Sequence, residues 1–457
     1  MRLADALRVS RGDVITLVGG GGKTTAMFAL ARELVEDGLR VVTTMTTHIF
    51  LGQMKHAPAY LDLEGGETIG DSLARLLHKH RHVLVISGQA AEADKAAGVA
   101  PSVVDLLATH ESVDAVIVEG DGARRLPFKA PADHEPVVPS STTVLVPVAG
   151  LDVVGQPLRA DWVHRPELVA SLTGAMLGEP VSPEILAAIL AHPRGGAKAL
   201  PPGARLAPLL NKADTSERLG VAREVAGRLL TAAGVDSVLL GAVRNADPVQ
   251  ETWTRVGAVV LAAGEAKRYG ALKQLLDWKG KPLVAHVANQ ALACSDIDRV
   301  VVTVGAGAER VRAALQGHDV QIVDVPDWQA GQSRSVLASL AALTQPSPAF
   351  GNQEPCGAVI FLLADQPGVS PPLLAALIQR HRETLAPVVA PRFGGHHGNP
   401  VLFDRATFAE FASLAGDVGA RDIISAHREE IAWVDWPDAS VFADIDTPQD
   451  YQPAVRE

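Results

Sequence analysis

Residues 259–276, VVLAAGEAKRYGALKQLL, contain the pattern from which the architecture of the second half of this chain is best predicted. An apolar run typical of a buried strand leads to Gly264, which opens a turn. Arg268 and Lys273 then bring positive charge, and Gly270 lets the chain fold back. A triphosphate needs closely approaching backbone amides and neighbouring cations. The pattern therefore predicts a phosphate-binding loop; a tight turn whose Arg and Lys are merely solvated is the structural alternative.

Length, composition and strand pattern predict two α/β domains. The 457 residues are many for one domain and comfortable for two. Hydrophobic residues make up 47% but aromatic residues only 4%, so Ala, Val, Leu and Gly carry the packing, as in sheets covered by helices. We expect domains at residues 1–250 and 251–457, with the boundary in the polar segment 244–255, and a mostly parallel sheet in the second domain.

Charge and cysteine content exclude several classes of partner. The formal net charge of −11 makes the chain a poor general binder of nucleic acid or anionic membranes. The two cysteines lie far apart, which rules out a disulfide framework and fits a reducing compartment. The sequence shows neither a signal peptide nor an apolar stretch long enough to span a bilayer. We expect a soluble cytoplasmic protein with no nucleic-acid or membrane partner.

The second half resembles the MobA-like nucleotidyltransferases, in particular the molybdenum cofactor cytidylyltransferases. Their motif is a strand, Leu-Ala-Ala-Gly, a short variable stretch, Arg, an apolar residue, Gly and a nearby Lys. FLLADQPGVS (361–370) and FADIDTPQDY (442–451) match two further motifs, and the resemblance spans roughly residues 255–452. It implies a Rossmann-like nucleotidyltransferase domain. The strand is expected to end at Ala263, and the nucleotide is expected to be bound by Leu261, Ala262, Ala263, Gly264, Gly270 and Lys273.

The resemblance also implies a reaction. Arg268, Lys273 and Asp365 would be catalytic, and Mg²⁺ would be held by Asp365 and Asp446. Asp365 ends a buried strand, where α/β sheets bind ligands, although a helix cap is the structural alternative. The phosphate of molybdopterin or Mo-molybdopterin would attack the α-phosphorus of CTP, and pyrophosphate would leave. GTP as donor, another phosphorylated acceptor, and a non-catalytic chaperone stay open as alternatives.

The first half contains a second glycine-rich loop, LVGGGGKTT (17–25). It is not a standard Walker A motif, because the position five before Gly22 is Leu17 rather than glycine. Amides, a lysine and a threonine hydroxyl at a helix start nevertheless suit phosphate and Mg²⁺. A glycine-rich connection without a ligand is the structural alternative. We predict a P-loop-like α/β domain in which phosphate is bound by Gly19, Gly20, Gly21, Gly22, Lys23 and Thr24, with Thr24 and Glu119 near the metal.

Two further segments of the first half carry predictions. In LLNKADT (209–215), Asn211, Lys212 and Asp214 resemble the guanine-reading element of GTPases, with a helix cap as the alternative; GTP and ATP both stay open for this site. The charged loop RRLPFKAPADHEP (124–136) is predicted to close over bound phosphates, with an ordinary charged loop as the alternative. Over roughly residues 8–245 the chain resembles the YqeC-like selenium-dependent molybdenum hydroxylase accessory proteins. That resemblance implies a molybdenum hydroxylase apoenzyme as partner.

Overall fold

The chain folds as two units, Met1–Trp253 and Thr254–Glu457. The computed structural model describes residues 1–64, 69–91, 94–265, 269, 272–345, 354–414, 416, 419–445, 447 and 450–451. The division expected after residue 250 falls inside the strand Val249–Trp253, which belongs to the first unit.

The first unit is built on one large, mostly parallel sheet. Its strands, together with those of two small sheets, are β1 (Val14–Gly19), β2 (Val41–Met45), β3 (His48–Phe50), β4 (Tyr60–Asp62), β5 (His82–Ile86), β6 (Lys95–Ala97), β7 (Ala115–Glu119), β8 (Phe128–Lys129), β9 (Val144–Gly150), β10 (Val163–His164), β11 (Arg205–Leu206), β12 (Leu209–Asn211), β13 (Val238–Gly241) and β14 (Val249–Trp253). The order in the large sheet is β14-β13-β12-β9-β1-β7-β2-β5-β4, with β11 beside β9. Among the described strands of the large sheet, only β14 runs antiparallel to its neighbour.

The strand order makes β1 a switch point. After β1 the chain builds β2 and β5 on one side and later adds β9 and β12 on the other. Open α/β sheets bind ligands at such points, outside the carboxyl ends of the strands. The glycine-rich loop, residues 20–22, follows β1 directly, so the topology puts it where a ligand is expected.

Helices cover both faces of the first sheet. They are α1 (Leu3–Ala6), α2 (Lys23–Glu36), α3 (Leu51–Met54), α4 (Asp71–His80), α5 (Pro101–Ala108), α6 (Pro166–Thr173), α7 (Pro183–Ala191) and α8 (Ser216–Leu230). Successive strand residues point to opposite faces. Ile15 and Leu17 therefore pack with α1 and α2, whereas Val14 packs with α4 and α5, and Val18 with α6, α7 and α8.

The second unit has a mixed sheet with a parallel centre. Its strands are β15 (Val256–Leu261), β16 (Asp277–Trp278), β17 (Lys281–Pro282), β18 (Arg299–Val304), β19 (Gln321–Asp324), β20 (Ala358–Leu363), β21 (Val388–Phe393), β22 (His396–His397), β23 (Val401–Asp404) and β24 (Ala432–Asp435), and its helices are α9 (Leu283–Leu292), α10 (Ala308–Ala314), α11 (Gln332–Thr344), α12 (Pro371–Thr384) and α13 (Arg421–Ala426). The order is β19-β18-β15-β20-β23-β21-β22, with β24 beside β21. β23 runs antiparallel to both of its neighbours, β20 and β21.

The predicted α/β class is confirmed for both units, and one local expectation needs correction. The strand expected to end at Ala263 ends at Leu261, because the Ala262 amide turns to the Thr303 hydroxyl at 3.2 Å. The polar segment 244–255, where the domain boundary is expected, contains β14. Its polar sequence conceals a strand because the buried Glu251 carboxylate is paired with the Arg223 guanidinium.

Candidate functional site

A cavity of about 640 Å³ opens at the carboxyl ends of β15 and β20 in the second unit. Leu261 and Leu363 are register partners, so the segments that follow them meet at the same edge of the sheet. The turn 328–332 and the start of α11 form another wall. The lining residues are Leu261, Ala262, Ala263, Gly264, Glu265, Lys273, Gln274, Trp328, Gln329, Ala330, Gly331, Gln332, Ser335, Leu363, Ala364 and Asp365.

Lys273 and Asp365 meet at this cavity although 92 positions separate them in the chain. The Lys273 ammonium donates a hydrogen bond of 2.6 Å to Asp365 Oδ2. The two side chains are 15% and 23% exposed, so the pair is largely shielded from water yet borders the cavity. A shielded ammonium beside a carboxylate can bind phosphate oxygens through the first and a divalent cation through the second.

Gln274 holds the turn after β15 against the turn that carries Lys273. Its buried side-chain amide donates to the carbonyl oxygens of Ala262, at 3.2 Å, and of Gly264, at 3.1 Å. The sequence interpretation gave Gln274 no role. Its position directly after the predicted phosphate-binding lysine was the only sequence feature that could have indicated this role. Its hydrogen-bond partners are backbone atoms, which no sequence motif identifies.

The segment before Asp446 lies against the loop that carries Asp365. The Ile445 amide donates to the Asp365 carbonyl oxygen at 3.1 Å. The buried Gln366 side chain donates to Asp444 Oδ1 at 2.8 Å, and its own Oε1 atom has no hydrogen-bond partner among the described residues. Asp444 and Gln366, which the sequence interpretation missed, therefore join the segment before Asp446 to the loop that carries Asp365.

Three predicted site residues lie outside the described residues: Arg268, Gly270 and Asp446. The part of the chain that the structure describes contains no group of three or more His, Cys, Asp or Glu side chains that could hold a metal ion. Mg²⁺ commonly uses only one or two protein carboxylates and completes its shell with water and substrate phosphates. The Asp365 carboxylate at the cavity fits such an ion.

In the first unit, the glycine-rich loop is shaped by close backbone approaches. Gly21 has φ +78°, and a Cβ atom there would lie 2.2 Å from the Gly150 nitrogen. The amides of Gly19, Gly20 and Gly21 already donate to protein acceptors: the Asp121 carboxylate and the carbonyls of Val148 and Leu126, respectively. The amides at the start of α2, beginning with Lys23, point along the helix axis and are the ones suited to an anion.

Lys23, Thr24 and Glu119 come together beside this loop. The Thr24 hydroxyl donates to Glu119 Oε2 at 2.7 Å. Lys23 Nζ donates to the Gly19 carbonyl at 2.6 Å and lies 3.3 Å from Asp121 and 3.5 Å from Glu119. Burial alone would lower the pKa of Lys23, but the Asp121 and Glu119 carboxylates outweigh burial and raise it. The lysine therefore stays an ammonium ion.

Asn211 connects the predicted base-reading turn to the glycine-rich loop. Its buried side chain donates to the Gly21 carbonyl at 2.7 Å and accepts from the amides of Lys212 and Val243. This side chain is thus committed to backbone partners. The two other predicted residues are partly exposed and ion-paired, Lys212 with Asp152 at 2.6 Å and Asp214 with Arg218 at 2.8 Å.

Two family models match the chain, one in each unit. Residues 15–167 match the model described as YqeC protein, and residues 258–431 match the MobA-like NTP transferase domain. The uncharacterized protein YqeC of Escherichia coli (strain K12) is 30% identical over 235 residues, which are 51% of this chain and 89% of that protein. The nicotine blue oxidoreductase of Paenarthrobacter nicotinovorans is 30% identical over 200 residues, which are 42% of this chain and 92% of that protein.

The chain joins a YqeC domain to a MobA-like NTP transferase domain. Both predicted family memberships are therefore confirmed, and the MobA-like unit is a nucleotidyltransferase. Among solved structures, a homologue of Mycobacterium tuberculosis rv0371c from Mycobacterium sp. strain JC1 shares 30% identity at a TM-score of 0.39, covering 44% of this chain and 96% of its own.

The charged loop 124–136 of the YqeC unit is partly buried. Lys129 and Glu135 are buried and paired with each other at 2.6 Å, so these two charges face the interior. The tip, with Asp133 and His134, is exposed.

Across the described residues, no helix combines the length and apolarity needed to cross a membrane.

Proposed function

We propose that the MobA-like unit transfers a cytidylyl group from CTP to the phosphate of molybdopterin or Mo-molybdopterin and releases pyrophosphate. The observation that carries this proposal is the Lys273–Asp365 pair at the mouth of a cavity where two parallel strands end. A cavity of about 640 Å³ lies within the usual size range of small-molecule sites. The choice of CTP and of the pterin rests on the sequence resemblance of roughly residues 255–452 to the molybdenum cofactor cytidylyltransferases.

The reaction needs positioning and charge compensation. An acceptor phosphate oxygen forms a bond to the α-phosphorus, the bond from that phosphorus to the β-phosphate oxygen breaks, and pyrophosphate carries away the electron pair. Lys273 would donate hydrogen bonds to the triphosphate, where a shielded cation is worth more than in water. Asp365, with Asp446 as a second carboxylate, would hold Mg²⁺, which offsets phosphate charge. Arg268 would add a second cation on the same loop.

We propose a nucleoside triphosphate site in the YqeC unit as well, with GTP and ATP as the candidate ligands. The support is the convergence of Lys23, Thr24 and Glu119 beside a loop at the switch point of the sheet. Lys212 and Asp214, at the end of the neighbouring strand region, would face the base. This unit would serve the maturation or delivery of the cofactor to a molybdenum hydroxylase apoenzyme.

The experiment that tests the transferase is a matrix of donors and acceptors with the full chain and Mg²⁺. CTP, GTP and ATP are each combined with molybdopterin, Mo-molybdopterin and a sugar phosphate, and pyrophosphate release is measured. Release with CTP and a pterin, abolished by Asp365→Asn, supports the proposal. Release only with GTP would show that GTP, not CTP, is the donor. Release only with the sugar phosphate would show that the acceptor is not a pterin. Tight pterin binding without release from any donor would support a chaperone instead.

A further inference from the structure

A chain of alternating charges runs from the glycine-rich loop of the YqeC unit to the start of α6. Lys23 Nζ lies 3.3 Å from Asp121 Oδ1, and Asp121 Oδ2 lies 3.0 Å from Lys129 Nζ. Lys129 Nζ also donates to Glu135 Oε1 at 2.6 Å, and the same Glu135 oxygen accepts from the Arg165 guanidinium. We call these five residues the charge chain. Its outer end is at Arg165, and its inner end is the predicted phosphate-binding lysine.

The middle of the charge chain is shielded from water. The side chains of Asp121 and Lys129 are 2% and 1% exposed. Burial would raise the pKa of Glu135, but Lys129 and Arg165 outweigh burial and lower it, so this group stays a carboxylate. Removing ions from water is unfavourable, and replacing buried ions by apolar groups is often neutral or stabilising. Stability alone therefore gives no reason for so many buried charges.

Asp121 is shared between the glycine-rich loop and Lys129. Its oxygens accept from the Gly19 amide at 3.0 and 3.1 Å, and it also faces Lys23. A lysine that turns towards a bound phosphate has to leave its carboxylate partners. Without a second cation, this step would leave Asp121 buried and unpaired, which is costly. Because Lys129 keeps Asp121 paired, it lowers the free-energy cost of moving Lys23 away from Asp121.

We propose that Lys129 and Glu135 are positioning residues that set how readily Lys23 leaves Asp121 for a bound polyphosphate. The inference rests on the proposed phosphate-binding function of the YqeC unit. Lys129 favours release by holding Asp121. Glu135 opposes release by drawing Lys129 away from Asp121, and Arg165 in turn opposes Glu135. The sign of the effect on polyphosphate affinity therefore alternates along the charge chain.

The test measures calorimetric binding of inorganic triphosphate with Mg²⁺ to the full chain carrying Lys273→Met, which weakens the second site. The binding component that Lys23→Met removes belongs to the YqeC unit. Lys129→Met should weaken that component about tenfold, the equivalent of one pK unit. Glu135→Gln should tighten it severalfold, and Arg165→Met should weaken it. General damage to the fold would weaken binding in all three variants.

A double-mutant cycle distinguishes an effect of Glu135 that passes through Lys129 from a direct electrostatic effect of Glu135 on the bound polyphosphate. If Glu135 acts through Lys129, then Glu135→Gln has no further effect once Lys129 is methionine. A direct field from Glu135 would give the same tightening in both backgrounds, and that result would overturn the inference. If Lys129→Met does not fold, the cycle between Glu135 and Arg165 tests the outer part of the charge chain instead: Arg165→Met should have no further effect once Glu135 is glutamine, and an unchanged effect of Arg165→Met in that background would overturn the inference.

The two proposals fail in different ways. If triphosphate binding has no component that depends on Lys23, the proposed function of the YqeC unit is wrong and the inference falls with it. If this component exists but the three single variants shift it in one direction, or leave it unchanged, only the inference is wrong. Thermal unfolding of each variant identifies any that are unfolded.

Discussion

Replacing Lys273 by methionine should remove most of the activity while costing little stability. The structure sets both magnitudes. The Lys273 and Asp365 side chains are 15% and 23% exposed, which lies between a surface ion pair and a fully buried one. Loss of the pair should therefore lower the free energy of unfolding by about 1–3 kcal/mol, between the ranges for those two cases. Loss of a shielded donor at a reacting phosphate should lower kcat by about 10²–10³-fold.

The assay is steady-state pyrophosphate release from CTP with molybdopterin, beside thermal unfolding of the same preparations. Lys281→Met is the matched control, because Lys281 is exposed in the same unit and does not line the cavity. Lys273→Arg keeps the charge and should retain more activity than Lys273→Met. A Lys273→Met variant whose kcat stays within about threefold of wild type would refute the role given to this lysine.

Three further predictions concern single positions. Gly21→Ala should abolish Lys23-dependent triphosphate binding, because the added Cβ atom would lie 2.2 Å from a backbone nitrogen. Gly38→Ala is the control: Gly38 has φ +81° and no atom within 4 Å of the added Cβ, so this variant should lose only about 1–2 kcal/mol of unfolding free energy and keep binding intact. Gln274→Leu should raise the KM for CTP about tenfold, because two backbone carbonyls lose their donor; an unchanged KM would remove the positioning role of Gln274. Burial lowers the pKa of His82 to about 4, so the unfolded state binds a proton first as the pH falls. Between pH 7 and pH 5 the wild type should lose about 2 kcal/mol of unfolding free energy that His82→Gln does not lose, measured by denaturant unfolding.

Much of the fold could be predicted from the sequence because buried parallel strands are continuous apolar runs. β1, β7, β15 and β20 are such runs, and the elements that follow them position both sites. β14 escaped prediction because its buried Glu251 is made acceptable by a partner 28 residues earlier, Arg223. Pairings of this kind depend on tertiary structure, and a local pattern cannot contain them.

The candidate sites were predictable to a different depth. Lys273 and Asp365 come from motifs, and their meeting follows from the shared edge of parallel strands. The partners of Gln274 and Asn211 are backbone carbonyls of distant loops, so the residue type alone carries no signal. Lys129, in an exposed-looking charged segment, is buried because Asp121 and Glu135 both neutralise it.

The most direct test of the transferase proposal follows the α-phosphate of CTP. The full chain is incubated with Mg²⁺, molybdopterin and CTP labelled at the α-phosphorus, and the pterin product is isolated and weighed by mass spectrometry. The proposal predicts that the label moves into a pterin cytosine dinucleotide in equal amount to the pyrophosphate released, and that Asp365→Asn stops the transfer. The proposal would be contradicted if the label remained in CTP or CMP although a loaded acceptor was present. This holds whether labelled GTP yields a pterin dinucleotide instead or no donor yields one.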